Sequence, residues 1–161
     1  MRGLVFAAIV LTGCGDDPDT TCDPIGFADG ESIVAGEALG PFARAALVVP
    51  EGRPFGVAFA LAFDEGEGTC GEPGIGRRIS VLFCDTPVAK AYEVVTVSAF
   101  RCPNEGVMAI AEDATGADLA DAVSGVVTVS YAGGCVAGAY ELELGGAMIE
   151  GAFDAVVCPL P

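Results

Sequence analysis

The last third of the chain alternates, and that period limits the fold more than any other feature. Along Cys135–Leu144, Tyr140, Leu142 and Leu144 share one side of an extended chain, with Glu141 and Glu143 on the other. Along Ala147–Val157, Ile149, Phe153, Ala155 and Val157 are expected to face inward, opposed by Glu150 and Asp154. Side chains of a strand point to alternate faces, so a period of two specifies a half-buried β-strand. Gly125–Tyr131 is a third such run. Ala132-Gly133-Gly134 and Gly145-Gly146 separate the three. Glycine supplies the positive φ of a tight hairpin turn, so a meander of antiparallel strands is expected. Within it, Gly138-Ala139-Tyr140-Glu141 is echoed by Gly151-Ala152-Phe153-Asp154, each with an aromatic on the core side two residues after a glycine. Two occurrences do not make a repeat protein.

The middle of the chain offers shorter runs. Ala45–Val49 reads as a strand ended by Pro50-Glu51-Gly52. Phe55–Phe63 reads as a buried strand with Phe55, Val57, Phe59, Leu61 and Phe63 on one face. Asp64–Gly76 is a long acidic, glycine-rich loop. Ile79–Cys84, Tyr92–Phe100 and Val107–Ala111 follow as strands, rich in residues suited to a sheet. Glu112–Val123 fits a short helix and a loop equally, because helix propensity is a weak guide. The fold class expected is all-β, an antiparallel β-sandwich of about seven to nine strands.

The N-terminus carries a different signal. Arg2 precedes the eight-residue apolar run Leu4–Leu11, and Leu11-Thr12-Gly13-Cys14 closes it. Such a run is far short of the ~20 residues of a transmembrane helix. A charged start, a short apolar stretch and small residues are the layout of a secretory signal. The four closing residues resemble the lipobox of bacterial lipoproteins, which is cut before a lipid-bearing cysteine. The resemblance implies lipidation of Cys14, with a diacylglycerol thioether on sulfur and a further acyl group such as palmitate on its amine. Each buried methylene adds about 0.8 kcal/mol, and two chains anchor stably. The expected organisation is a signal peptide at 1–13, the lipidated cysteine and an acidic tether at 14–31, and a β-sandwich domain at 32–161. The expected address is the bacterial cell envelope, lipid-anchored in the outer membrane, with the domain in the periplasm or at the cell surface.

If lipid takes Cys14, six of the seven cysteines remain: Cys22, Cys70, Cys84, Cys102, Cys135 and Cys158. An even number in an exported chain reads as three disulfides, with fifteen pairings open. Cys22 is placed to pin the far end of the tether. No C-x-x-C arrangement and no histidine is present, which argues against structural zinc.

Ser124–Val129, Val136–Leu142, Ile149–Ala155 and the terminal Cys158 are similar to the C-terminal region of a group of uncharacterised myxobacterial-type lipoproteins. Those chains end in paired G-x-[FY]-[DE] strands and a final cysteine. The similarity covers the lipobox and roughly the last 35 residues, and more weakly Ile79–Cys84. It implies a small β-sandwich and a Cys84–Cys158 bridge, and no shared activity.

Charge excludes several partners. The chain has 23 acidic and 7 basic residues, a net −16; loss of residues 1–13 removes Arg2 and takes it to −17. Nucleic acid needs cationic side chains to displace counterions, so it is not an expected partner. Docking of the folded domain on anionic lipid is equally disfavoured. A hydrophobic fraction of 52% is too high for disorder.

Chemistry is sparse. With no histidine, a Ser-His or Cys-His mechanism has no base. Gly71-Glu72-Pro73-Gly74-Ile75-Gly76 lacks the Lys-Ser/Thr end of a phosphate loop. Arg77-Arg78, the only basic pair, is expected to offset neighbouring carboxylates. No enzyme, catalytic residue, metal or cofactor is expected. The function expected is a non-catalytic envelope lipoprotein in a binding or structural role, its membrane contact made through Cys14 and its protein or glycan partner open. One alternative is a calcium-binding surface domain using Asp64-Glu65-Gly66-Glu67 or Glu112–Asp118, since calcium takes several oxygen ligands. The other is a carboxylate-based envelope hydrolase.

Overall fold

The structure is a computed structural model that describes residues 32–50, 54–70, 74–132 and 135–158. Cys14, Cys22, the signal segment and the tether lie outside the described residues. The strands are β1 (Ser32–Val34), β2 (Glu37–Leu39), β3 (Arg44–Val48), β4 (Phe59–Asp64), β5 (Arg78–Phe83), β6 (Lys90–Glu93), β7 (Met108–Glu112), β8 (Asp118–Ala132), β9 (Cys135–Leu144) and β10 (Ala147–Val157). The fold is all-β, as the alternation requires. The three C-terminal runs are strands, and Gly145 and Gly146 turn between the last two at φ 56° and 81°.

The strands close into a barrel instead of stacking as a sandwich. Seven of them run β8-β7-β5-β4-β3-β10-β9, and β9 returns to β8. β6 is an outer strand on β8. The strand pairs are antiparallel except β10 with β3, where Val156 and Val157 lie opposite Ala46 and Leu47. Two features permit closure. The chain's last strand joins an early one, which removes two free edges. β8 also changes register against β9 between Ala122 and Ser124. Ala122 is buried there, and beyond the shift Val127 and Val129 are buried as well. A side chain on nearby Gly125 would collide with the backbone of Glu141. Such a bulge bends and twists a strand, so the first half of β8 pairs with β7 and the second with β6.

The interior is filled by alternate residues of each strand, among them Leu61, Phe63, Ile79, Val81, Tyr140, Leu142 and Phe153. Phe63 is central, with ring centroids 4.9 Å from Tyr140 and 5.3 Å from Phe153. The β1–β2 hairpin adds buried Val34 and Leu39 to this core, and Phe42 sits 6.1 Å from Phe63. A second, smaller cluster uses the opposite faces of β4, β5 and β7: Val57, Ala60, Leu82, Phe100 and Met108.

Several expectations are corrected. Phe55 belongs to a 3-10 turn, Pro54–Gly56, with positive φ at Phe55 and Gly56; it is 43% exposed, and the strand begins only at Phe59. Tyr92–Phe100 is strand only to Glu93. Its remainder turns, with the amides of Ala99 and Phe100 donating to the Thr96 carbonyl, and Phe100 enters the second cluster. Glu112–Val123 is a hairpin turn running into β8, not a helix: Asp113 Oδ1 accepts from the amides of Thr115 (2.7 Å) and Ala117 (3.0 Å). An Asp carboxylate that captures nearby amides favours a turn. Val157 keeps the parity of Ile149 and Phe153 but is 47% exposed at the strand's end.

The disulfides are Cys70–Cys158 and Cys84–Cys102, and Cys135 is disulfide-bonded as well. The Cys84–Cys158 pairing implied by resemblance is thereby overturned. Cys84 follows β5 and Cys158 follows β10, with β4 and β3 between them. Three strand spacings amount to about 14 Å, beyond the ~7 Å Cα separation a disulfide spans.

Candidate functional site

Five charged residues form one row across the outside of the barrel. Arg44, Asp64, Arg78, Glu112 and Asp118 are successive cross-strand partners on β3, β4, β5, β7 and β8. Each sits at the end of its strand; Arg44, Asp64, Arg78 and Glu112 have a parity opposite to the core residues, and a register shift beside Glu112 brings Asp118 into line with them. Opposite charges placed directly across neighbouring strands attract, and the first three residues use this fully. Asp64 receives Arg44 Nη1 on Oδ2 at 2.5 Å and Arg78 Nε on Oδ1 at 2.6 Å. Arg44 and Asp64 are only 4% and 1% exposed. Arg44 Nη2 also donates to the Thr69 carbonyl at 2.9 Å, so its charge is satisfied from the loop above. Glu112 accepts from Ser80 Oγ at 3.0 Å.

The loop after β4 is fastened by a second carboxylate. Glu65 Oε1 accepts from the Gly40 amide (2.9 Å), and Oε2 accepts from Arg77 Nε (2.9 Å) and the Arg77 amide (3.1 Å). Burial works against the ionised form of Glu65. The bonds from Arg77 and Gly40, with the Arg77 charge, outweigh it and hold the pKa below the ordinary value. Arg77 also approaches Glu37 at 3.8 Å. Both arginines of the Arg77-Arg78 pair therefore offset carboxylates, as their position suggests.

Below the charged row lies a groove of about 700 Å³. Its floor is small, from Ala60, Ala62 and Ser80. Val48, Leu82, Ile110 and Phe55 form its apolar side, and the charged row forms the other. Phe55 is held edge-on against Phe100 at 6.4 Å.

Neither acidic loop gathers its oxygens. Asp64 and Glu65 are taken by guanidinium groups, and Glu67 stays exposed. Asp113 caps its own turn, and hydrogen bonds from the Thr115 hydroxyl and from the Ala117 and Thr115 amides lower its pKa. Among the described residues no three of His, Cys, Asp and Glu converge as a metal site. Of the cysteines singled out in the sequence, Cys70, Cys84, Cys102, Cys135 and Cys158 are described, and all five are disulfide-bonded. The charged row was not legible as one site, because Asp64 and the pair Glu112 and Asp118 read as oxygens of two separate acidic loops, and Arg44 only as the residue before a strand, until register placed them side by side. Comparison with protein-family models, with curated proteins and with solved structures finds no match for this chain.

Proposed function

We propose that the chain is a non-catalytic lipoprotein of the bacterial cell envelope, held in the outer membrane by lipid on Cys14, with its β-domain in a binding or structural role. The observation that carries this reading is the run from Arg2 through Leu4–Leu11 to Leu11-Thr12-Gly13-Cys14. Two disulfides among the described residues support export, because such bonds persist in oxidising compartments. The similarity of the C-terminal strands to myxobacterial-type lipoproteins supports the same address.

The test is Cys14→Ser, followed by membrane fractionation and labelling with a radioactive fatty acid. The native chain is expected in the membrane pellet with label, and the variant in the soluble fraction without it. A variant that stays in the pellet would overturn the reading.

A further inference from the structure

We propose that the groove on the outer wall of the barrel is a binding site for an extended peptide segment that carries a lysine or arginine beside apolar side chains. Its volume, about 700 Å³, falls within the ~300–1,000 Å³ typical of ligand sites. It is lined from β3, through β4, β5 and β7, to Asp118 on β8. Four strand spacings give it a length of about 19 Å, which matches five or six extended residues.

Register explains its shape. Ala62 and Ser80 lie in one cross-strand row that runs on to Ile110, between the charged row on one side and the row Val48–Ala60–Leu82 on the other. Small side chains in the middle of a wall leave depth that larger ones would fill. The apolar flank offers contact for aliphatic side chains, and Ser80 sits beside them with a hydroxyl.

Charge selects the occupant. Arg44 and Arg78 are both occupied by Asp64. Glu112 and Asp118, next in the row, have no cation within ion-pair distance among the described residues. The row therefore alternates in sign and then ends in surplus negative charge. A basic side chain at that end finds a counter-charge, while an anionic one meets two carboxylates, Glu112 and Asp118. The acidic chain as a whole favours approach of the same cation.

This proposal deepens the binding role proposed above and does not depend on the lipid. A membrane-bound protein without peptide binding would remove the groove and leave the anchor standing; a soluble protein with peptide binding would do the reverse.

The experiment uses the full chain in phospholipid nanodiscs, titrated with the fluorescein-labelled hexapeptide Lys-Leu-Ala-Val-Ala-Leu, its reversed sequence, and both with Glu replacing Lys. At least one Lys peptide is expected to bind saturably, at least tenfold more tightly than its Glu counterpart. Ser80→Phe fills the floor, and Glu112→Gln with Asp118→Asn removes the charge; each is expected to weaken binding at least tenfold. Neither position of the second variant belongs to the core, Asp118 being exposed and Glu112 half-buried, and Gln and Asn keep the side-chain shapes, so it serves if Ser80→Phe fails to fold. Binding by neither Lys peptide, equal binding of the Glu peptides, or binding unchanged in the charge variant would overturn the proposal.

Discussion

Gly138 faces Phe153 across β9 and β10, and two residues along the same pair Gly151 faces Tyr140. Each glycine thus lies opposite the aromatic that belongs to the other's echo. A side chain on Gly138 would overlap the backbone oxygen of Thr128 and stand 2.7 Å from Phe153 Cζ. At Gly138, therefore, a missing side chain on one strand makes room for a ring on the other. Phe63 rests on both rings.

Gly138→Ala is expected to destabilise the barrel by about 2–3 kcal/mol, the upper range of overpacking costs, because backbone and ring must both shift. Urea unfolding monitored by far-UV circular dichroism checks this. A change within about 0.5 kcal/mol, the range of neutral surface substitutions, would show that the space is not closed.

Asp64 carries a different risk. Removing one partner of a buried ion pair leaves the other charge uncompensated, at about 3–5 kcal/mol. Asp64→Asn is expected to fall in that range, since Arg44 is covered and Arg78 leans on the same carboxylate. Replacing the pair together, Arg44→Met with Asp64→Leu, is expected to recover most of the loss. Equal losses in the single and double variants would contradict the ion-pair account.

The Glu65 latch makes a pH prediction. Its native pKa lies below the ordinary carboxylate value, so its contribution is present above the unfolded value and is lost as pH falls through the native one. Glu65 is 17% exposed and binds three donors through its carboxylate. The stability gap between the native chain and Glu65→Gln is therefore expected to be widest near neutral pH. It should narrow steadily on acidification to about pH 3. Denaturant melts across that interval check it; a gap that widens toward acid would contradict the assignment.

What was legible in the sequence divides along a physical line. The C-terminal meander shows itself because short turns and a period of two are local. Tyr140, Leu142, Ile149 and Phe153 are buried where alternation places them. Closure was not legible. It depends on β10 reaching β3, and on a bulge beside Gly125 that changes the inward parity of β8, both set by tertiary contact. Phe55 misleads because apolar periodicity cannot register that Pro54 and Gly56 break the strand. The charged row was hidden for the same reason as the disulfide partners: residues far apart in sequence become neighbours only through register. Cys70 meets Cys158 across 88 positions.

The central claim is that a lipid on one sulfur makes this acidic barrel a resident of the envelope. Intact-mass spectrometry of the protein isolated from its native membranes tests it most directly. The account predicts a chain that has lost residues 1–13, begins at Cys14 and exceeds its polypeptide mass by that of a lipid modification. A chain that retains Met1 through Gly13, with no added lipid mass, would contradict it.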